Sequence, residues 1–191
     1  MCLKGPKLRF AGIGELEGRS MKNLTSAPVL TTERLILRGP EVGDLGAFTR
    51  FMTSAPSLAA QGETVSAEQA WFGFLAGIGH WQWHGFGFFM VVERESAEPV
   101  GRVGVIKHSN WPDEELAWHL FEGLEGKGYA TEAARAVRAW AFGGLGLKHL
   151  HSYIDVGNRR SQAVARRLGA STNGTRAPHE PEAEVWVHPV E

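Results

Sequence analysis

Apolar residues recur with two different periods in the first half of the chain. In "TERLILR" (32–38), Leu35 and Leu37 alternate with their neighbours, which is typical of a strand near a sheet edge. "GDLGAFTRFM" (43–52) and "SAEQAWFGFLAGIGHW" (66–81) carry apolar residues at helical spacing, and Ser66 is placed to cap the second helix. The predicted apolar stripe of that second helix comprises Ala70, Trp71, Phe74, Leu75 and Ile78. The pattern therefore predicts one strand and then two helices.

Three short extended runs follow in the middle of the chain. They are "FGFFMVVE" (86–93), "PVGRVGVIK" (99–107) and "EELAWHLF" (114–121), and turn-prone residues separate them. Short strands joined by short turns are typical of an antiparallel meander. We therefore expect these three runs to lie side by side in one sheet.

The last third alternates between helical and extended patterns. A helix opens within "EGKGYATEAARA" (125–136), and its predicted apolar stripe comprises Ala130, Ala133, Ala134, Val137, Trp140 and Ala141, with Glu132, Arg135 and Arg138 off it. The run "HLHSYIDV" (149–156) predicts a strand, "RRSQAVARRLG" (159–169) a helix ended by Gly169, and "EVWVHPV" (184–190) a final strand. A meander followed by strands and helices in alternation predicts one mixed α/β layer domain.

Composition narrows the class of protein. With 191 residues, 43% hydrophobic and 21% charged, the chain suits one globular domain, predicted over 29–191, after a Gly-rich, flexible extension at 1–28. A net charge of −1 gives no general basic surface for nucleic acid. The single cysteine, Cys2, argues against a disulfide framework, a cysteine metal cluster and a thiol nucleophile. No apolar stretch is long enough to span a membrane, so we expect a cytoplasmic protein. We also expect that it holds no bound metal.

The glycines of 125–136 admit three interpretations as a phosphate-binding loop. A nucleotide P-loop requires a glycine five residues before Gly-Lys-Ser/Thr, and this order is absent. A dinucleotide fingerprint requires a third glycine where Thr131 stands, so a nucleotide-binding oxidoreductase is a weak alternative. A strand, a glycine loop and a helix N-terminus instead direct unpaired amides and a helix dipole at one point. An ordinary turn before a structural helix explains the loop alone equally well.

A second motif favours the binding interpretation. In "NRRSQAVARRLGA" (158–170), Asn158 ends a predicted strand, and Ser161, three residues later, is expected to cap the following helix. A strand end with these polar residues, beside a strand that ends in a glycine loop, creates a crevice at the carboxyl ends of two strands. Open α/β sheets bind ligands in such crevices.

Together, "TTERLILR", "EELAWHLFEGLEGKGYATEA" and "NRRSQAVARRLGA" resemble the GCN5-related N-acetyltransferase (GNAT) superfamily, particularly its ribosomal-protein N-acetyltransferase branch. The resemblance covers roughly 30–189 and implies a mostly antiparallel mixed sheet, flanked by helices, with one parallel strand pair splayed to hold acetyl-CoA. The family signature maps onto Glu125, Gly128 and Ala130, where Glu125 departs from the usual Arg or Gln. We expect this acid to weaken rather than abolish cofactor binding.

The resemblance also implies the residues that hold acetyl-CoA. The pyrophosphate would lie on the loop, and the pantetheine arm between the strands at 114–121 and 149–156. The implied cofactor-binding residues are Trp118, Leu120, Gly126, Lys127, Gly128, Tyr129, Ala130, Thr131, Asn158 and Ser161.

Amide formation from a thioester requires a neutral amine, so a base near the thioester is expected. Glu115 is the first candidate because it lies on the strand before the loop, on one face with Ala117 and His119. Glu114 and His119 are alternatives. Many relatives carry a tyrosine as general acid where this chain has Ala165, which leaves Ser161, water or no acid at all.

The amine that accepts the acetyl group would bind near the second predicted helix. The region around the helix at 66–79 and "GHWQWHGFGFF" implies acceptor contacts from Trp71, Trp81, Trp83 and His84. Few acidic residues lie there, so we expect the acceptor to be a protein N-terminus or a small amine. The sequence is also compatible with a homodimer. A non-catalytic acyl-CoA-binding regulator is the main rival to an acetyltransferase.

Overall fold

The computed structural model describes residues 24–54 and 65–190. In chain order the elements are β1 (Leu30–Thr31), β2 (Leu35–Arg38), a 3₁₀ turn (Val42–Asp44), α1 (Leu45–Met52), α2 (Ala67–His84), β3 (Phe88–Glu93), β4 (Pro99–Ile106), β5 (Glu115–Leu120), α3 (Tyr129–Gly143), β6 (His151–Asp155), α4 (Arg159–Arg167), β7 (Arg176–Ala177) and β8 (Glu180–Val187).

The eight strands form one sheet in the order β1-β2-β3-β4-β5-β6-β8-β7. Every neighbouring pair is antiparallel except β5 and β6, which run parallel. The parallel pair arises because α3 crosses between these two strands, whereas short turns join β3, β4 and β5. The predicted fold class is confirmed: a single mixed, mostly antiparallel sheet flanked by helices.

Helices cover both faces of the sheet. On one face, Leu35, Val103 and Leu116 pack against Ala133 and Val137 of α3, all fully buried. Small residues on α3 allow the helix axis to approach the sheet closely. On the other face, a second cluster joins α1, α2 and the sheet through Phe48, Phe51, Met52, Ala70, Phe74, Met90 and Phe121.

The second predicted helix is confirmed, but its buried stripe differs from the prediction. Ser66 caps α2 as expected, since its hydroxyl accepts from the Gln69 amide at 3.1 Å. Ala70 and Phe74 are buried, whereas Trp71 and Leu75 are 44% and 43% exposed. The helix has almost no charged residue, so its sequence does not distinguish the covered face from the exposed one.

Two further expectations are refined. Thr32, Glu33 and Arg34 precede β2 in a turn closed by the Thr32 amide and the Leu35 carbonyl, 2.9 Å apart. Arg138 was placed off the apolar stripe of α3, but its side chain is buried and its guanidinium donates to the Leu168 carbonyl. This correction has a local cause, because the end of α4 packs on α3 and presents that carbonyl.

Most of the predicted N-terminal extension, 1–23, lies outside the described residues. Within 24–28, Thr25 and Ala27 are buried, with 6% and 8% of their surfaces exposed. The boundary at 28/29 stays a prediction. Among the described residues, no helix combines the length and apolar character needed to cross a membrane.

Candidate active site

The strands β5 and β6 meet at one end and separate toward the other. Their register contains the single pair Glu115 and His151, and the His151 amide donates to the Glu114 carbonyl at 3.1 Å. One step further, the Ser152 hydroxyl donates to the Leu116 carbonyl at 2.6 Å in place of a main-chain bond. Within the described residues no further ladder pair joins the two strands, so a gap opens toward their carboxyl ends.

The main chain of β5 offers hydrogen-bonding groups to this gap. The carbonyls of Glu114 and Leu116 both point at β6. Because main-chain groups alternate in direction along a strand, Trp118 and Leu120 present theirs to the same side. These two residues are the ones expected to pair with a pantetheine arm, and their role as ligands stays a prediction.

Ser152 and His188 fix the point where the strands separate. Both side chains are buried, and the Ser152 hydroxyl lies 2.9 Å from His188 Nε2. Burial lowers the pKa of His188 to about 4, so its ring is neutral at pH 7. A neutral imidazole and a hydroxyl occupy the interior without a buried charge, which makes this pair a structural support.

The glycine loop leads from β5 into α3. Gly126 and Gly128 have φ angles of 79° and 85°, the left-handed region that glycine adopts readily, and Gly128 is the N-cap of α3. No side chain caps this helix end, so its first amides and the positive end of the helix dipole face outward. The loop therefore has the geometry of an anion site.

The predicted ligands within the loop separate into two groups. Gly126, Lys127 and Gly128 are exposed, as is Glu125, whereas Tyr129 and Ala130 are buried and Thr131 is half-buried. The Tyr129 hydroxyl donates to Glu93 on β3. The side chain of Tyr129 thus anchors the loop to the sheet, and only its main-chain amide is available to a ligand.

Asn158, rather than Ser161, caps the start of α4. Ser161 was expected to cap α4, but Asn158 is the N-cap, and its side-chain oxygen accepts from the Ser161 amide at 3.0 Å. The Ser161 hydroxyl instead accepts from Trp118 Nε1 at 3.3 Å, across the gap between β5 and α4. Ala165 is fully buried behind them. Trp118 and Ser161 therefore border the gap on the α4 side.

Glu115 lies on the opposite face of β5, where the strands separate. The residue is 9% exposed, and its carboxylate accepts from the Tyr153 amide at 3.3 Å. Burial raises the pKa of Glu115 to about 8, although the Tyr153 amide partly opposes the shift. Glu114, the neighbouring candidate, is directed elsewhere and lies 3.5 Å from Lys107 Nζ.

His119 is the third candidate base, on the same face. Its Nδ1 accepts from Arg102 Nε at 3.2 Å, and its ring packs between Phe51 and Phe88. Burial and the neighbouring Arg102 charge hold the pKa of His119 well below its usual value. Four residues of strand place it roughly 13 Å from Glu115. His119 is neutral and already bonded, so it is a poorer proton acceptor than Glu115.

A row of aromatic rings borders Glu115 on this face. Trp111 stacks on His179 with ring centroids 4.8 Å apart, and His179 meets Tyr153 edge-on at 4.5 Å. His108 extends the row, 4.5 Å from Trp111. Burial lowers the pKa of both histidines and raises that of Tyr153 to about 12, so all these rings are uncharged at pH 7. We call Trp111, Tyr153 and His179 the ring cluster.

The ring cluster was not anticipated, and the predicted acceptor residues lie elsewhere. Trp81 is 1% exposed, and its indole donates to the Phe88 carbonyl at 2.9 Å, so it belongs to the core. Trp71 and Trp83 lie on the outer surface of α2, 44% and 84% exposed. His84 stacks on Phe86 at 5.2 Å. The one available sequence signal for the cluster was Trp111 beside Pro112 and Asp113, in the loop that enters β5.

No group of three or more His, Cys, Asp or Glu side chains that could hold a metal ion occurs in 24–54 or 65–190. The chemistry visible in the site is that of one buried carboxylate, main-chain amides and neutral rings.

Comparison with known proteins identifies the family. Residues 34–171 match the model of the acetyltransferase (GNAT) domain. An acetyltransferase from Agrobacterium tumefaciens is 34% identical, with a TM-score of 0.78 over 97% of this chain and 100% of that chain. A putative ribosomal-protein-serine acetyltransferase from Vibrio cholerae shares the fold at 24% identity, with a TM-score of 0.69 over 87% and 99% of the two chains. The microcin C7 self-immunity acetyltransferase MccE, solved in complex with acetyl-CoA and AMP, also shares the fold. It is 15% identical, with a TM-score of 0.66 over 88% of this chain and 99% of that chain. The chain therefore belongs to the GNAT acetyltransferases, enzymes that transfer an acetyl group from acetyl-CoA.

Proposed function

We propose that this enzyme transfers the acetyl group directly from acetyl-CoA to a primary amine in a ternary complex, with Glu115 as the general base. The observation that carries the proposal is a buried carboxylate with a raised pKa where β5 and β6 separate. Direct transfer follows because Cys2 is the only cysteine and lies far in sequence from every element of the site.

The cofactor is held mainly by the main chain. Amides of 126–131 bind the pyrophosphate at the start of α3, where glycine lets the phosphates approach closely. Main-chain groups of Trp118 and Leu120 pair with the pantetheine arm in the gap. Asn158 and Ser161 contact the arm from the α4 side. This arrangement brings the thioester toward the end of the gap that Glu115 borders.

Glu115 suits the proton transfer that the reaction needs. An amine that arrives as an ammonium ion must lose a proton before nitrogen attacks the thioester carbonyl. A base works best when its pKa is close to the working pH, and the pKa of about 8 for Glu115 meets this condition. The nitrogen–carbon bond forms as the carbon–sulfur bond breaks, and CoA leaves as a thiolate. Ser161, whose oxygen accepts from Trp118, is the hydroxyl that we propose donates a hydrogen bond to that thiolate, which then takes its proton from water.

The acceptor binds on the face of the ring cluster. Because Trp111, Tyr153 and His179 are uncharged at pH 7, this face suits an amine whose neighbouring group is flat or apolar. A protein N-terminus and a small aryl or alkyl amine both have this character. The putative ribosomal-protein-serine acetyltransferase of similar fold supports the first of these classes.

Glu115→Gln tests the proposal, with Glu114→Gln as the matched control on the adjacent residue. Using acetyl-CoA and a panel of amines, with free CoA thiol as the readout, the Glu115 variant should lose roughly 10²–10⁴-fold in kcat. Its affinity for acetyl-CoA should not change. The wild-type rate should rise with pH and level off near 8, because the base must be deprotonated, and this limb should vanish in the variant.

Two outcomes would contradict the assignment. If Glu114→Gln carries the loss instead, the neighbouring carboxylate is the base. If both variants retain the wild-type rate while His119→Ala does not, the proton goes to the imidazole.

A further inference from the structure

Two motifs that are about 100 positions apart in the chain meet beside the glycine loop. The Thr32 hydroxyl and the Arg34 amide donate to Glu132 Oε1 at 2.6 and 2.9 Å. The Arg34 guanidinium pairs with Glu132 Oε2, with Nε at 2.7 Å and a second nitrogen at 2.6 Å. The segment before β2 therefore holds the first turn of α3 through one carboxylate. We call Thr32, Arg34 and Glu132 the brace.

The same guanidinium also holds the loop itself. Arg34 donates a further hydrogen bond to the Lys127 carbonyl at 3.0 Å. In a planar trans peptide the carbonyl and the next amide point in opposite directions. Fixing the Lys127 carbonyl toward Arg34 therefore turns the Gly128 amide away from Arg34, to the other side of the loop. That amide is one of those expected to meet the pyrophosphate.

The brace also solves an electrostatic problem. Glu132 lies in the first turn of α3, where its charge would occupy the positive end of the helix dipole and repel a phosphate. Three donors draw the carboxylate to the sheet side, and the Arg34 charge neutralises it. The dipole and amides of the helix start are then left to an outside anion.

We propose that Arg34 is a positioning residue for acetyl-CoA: through the brace it orients the Gly128 amide and shields the pyrophosphate from the Glu132 charge. This inference rests on the proposed placement of the pyrophosphate on the loop. A plain tether between β2 and α3 is the competing explanation, and it predicts different results for the variants below.

The test compares Arg34→Met with Arg94→Met. Arg94 is the matched control because it also grips this segment, donating to the Thr32 and Glu33 carbonyls at 3.3 and 2.9 Å, but not to Glu132 or the loop. Binding of acetyl-CoA and of acetylpantetheine, which lacks the pyrophosphate, is measured by calorimetry. Arg34→Met should weaken acetyl-CoA roughly 10- to 100-fold, the scale of a misplaced binding group. Acetylpantetheine should bind both variants and the wild type alike.

Glu132→Gln separates shielding from tethering. Glutamine keeps one acceptor oxygen for the Thr32 hydroxyl and the Arg34 amide, and it removes the charge together with the oxygen that the guanidinium pairs with. The guanidinium keeps its bond to the Lys127 carbonyl, so acetyl-CoA should bind as tightly as to wild type or more tightly. In the Arg34→Met/Glu132→Gln double variant, part of the lost affinity should return. A plain tether predicts that each change weakens binding and that the double variant is the worst.

Three results would overturn the inference. The brace fails if Arg34→Met weakens both ligands equally, or if it affects acetyl-CoA no more than Arg94→Met does. The placement of the pyrophosphate fails, and the brace with it, if wild type binds acetyl-CoA and acetylpantetheine with equal affinity. Should Arg34→Met not fold, loss of acetyl-CoA binding in Glu132→Gln would refute the shielding role.

Discussion

The glycine loop follows β5, the ring cluster lies beside the start of that strand, and the two are built in different ways. The loop is a main-chain site, formed by consecutive residues around Gly126 and Gly128 and capped by no side chain. The ring cluster is a side-chain site, with Trp111 from the loop before β5, Tyr153 from β6 and His179 from the turn before β8.

This difference predicts that cofactor binding and turnover depend differently on pH. Main-chain amides do not titrate in the working range, so the affinity for acetyl-CoA should depend little on pH between 6 and 9. The acceptor side contains a carboxylate with a pKa of about 8, so turnover should depend strongly on pH in this range. Burial lowers the pKa of His108 and His179, and both rings stay neutral at pH 7. Backbone geometry determines the affinity for acetyl-CoA, and burial determines the protonation of the groups on the acceptor side.

The largest expected effect comes from a substitution in the glycine loop. Gly128→Val places a side chain in the loop, where a Cβ would lie 3.3 Å from an Arg34 nitrogen and φ is 85°. The affinity for acetyl-CoA, measured by calorimetry, should fall by roughly 10²-fold or more as the phosphate approach is blocked and the amide turns. Binding of the acceptor should be affected only through the missing cofactor.

Gly146→Val is the matched control for that change. Gly146 has a similar φ of 71° and nothing within 4 Å of an added Cβ, so it imposes the same backbone strain away from the loop. Equal losses of acetyl-CoA affinity in both variants would mean that strain, not the loop, is responsible.

The second prediction sharpens the acceptor side. Trp111→Ala removes the ring that stacks on His179, and the KM for the amine should rise by about 10-fold, the scale of a lost aromatic contact. Trp83→Ala, on an 84% exposed side chain, should leave the KM unchanged. The affinity for acetyl-CoA should be unchanged in both. A rise in KM for Trp83→Ala alone would return the acceptor site to the outer surface of α2.

The sequence predicted the two sides unequally for a physical reason. The loop, its helix and the strand before it are contiguous, and glycine spacing reports a backbone need directly, so 125–136 could be interpreted as an anion site. Glu115 could be placed by strand alternation, but its burial depends on β6 and the turn before β8. Tyr153 and His179 meet only because β6 and β8 pair.

The misplaced predictions follow the same rule. Ser161 was interpreted as a helix cap, but Asn158 three residues earlier satisfies its amide, and this choice depends on where β6 ends. Trp81 was assigned to the acceptor because it lies among aromatics, but α2 turns it into the core beside Phe89. A pattern along one helix shows which residues are apolar and leaves the faces that become covered to the tertiary packing.

The third prediction concerns the stability cost of burying Glu115 as a base. The pKa of Glu115 is raised from 4.5 to about 8 in the folded protein. Below pH 4.5 the carboxyl is neutral in both the folded and the unfolded state. Above it only the unfolded state ionises, so the free energy of unfolding should fall by about 1.4 kcal/mol per pH unit until pH 8.

Glutamine does not titrate, so Glu115→Gln should become progressively more stable than wild type over this interval. Between pH 5 and pH 8 the difference in the free energy of unfolding should grow by about 4 kcal/mol. Thermal melts at these two pH values should therefore show the difference in Tm growing by roughly 10 °C, at about 2–4 °C per kcal/mol. His188, whose pKa is lowered to about 4, destabilises both proteins equally on acidification and cancels in the difference. A constant difference for Glu115→Gln would mean that the carboxylate is ionised in the folded enzyme and that its pKa does not match the working pH of a base.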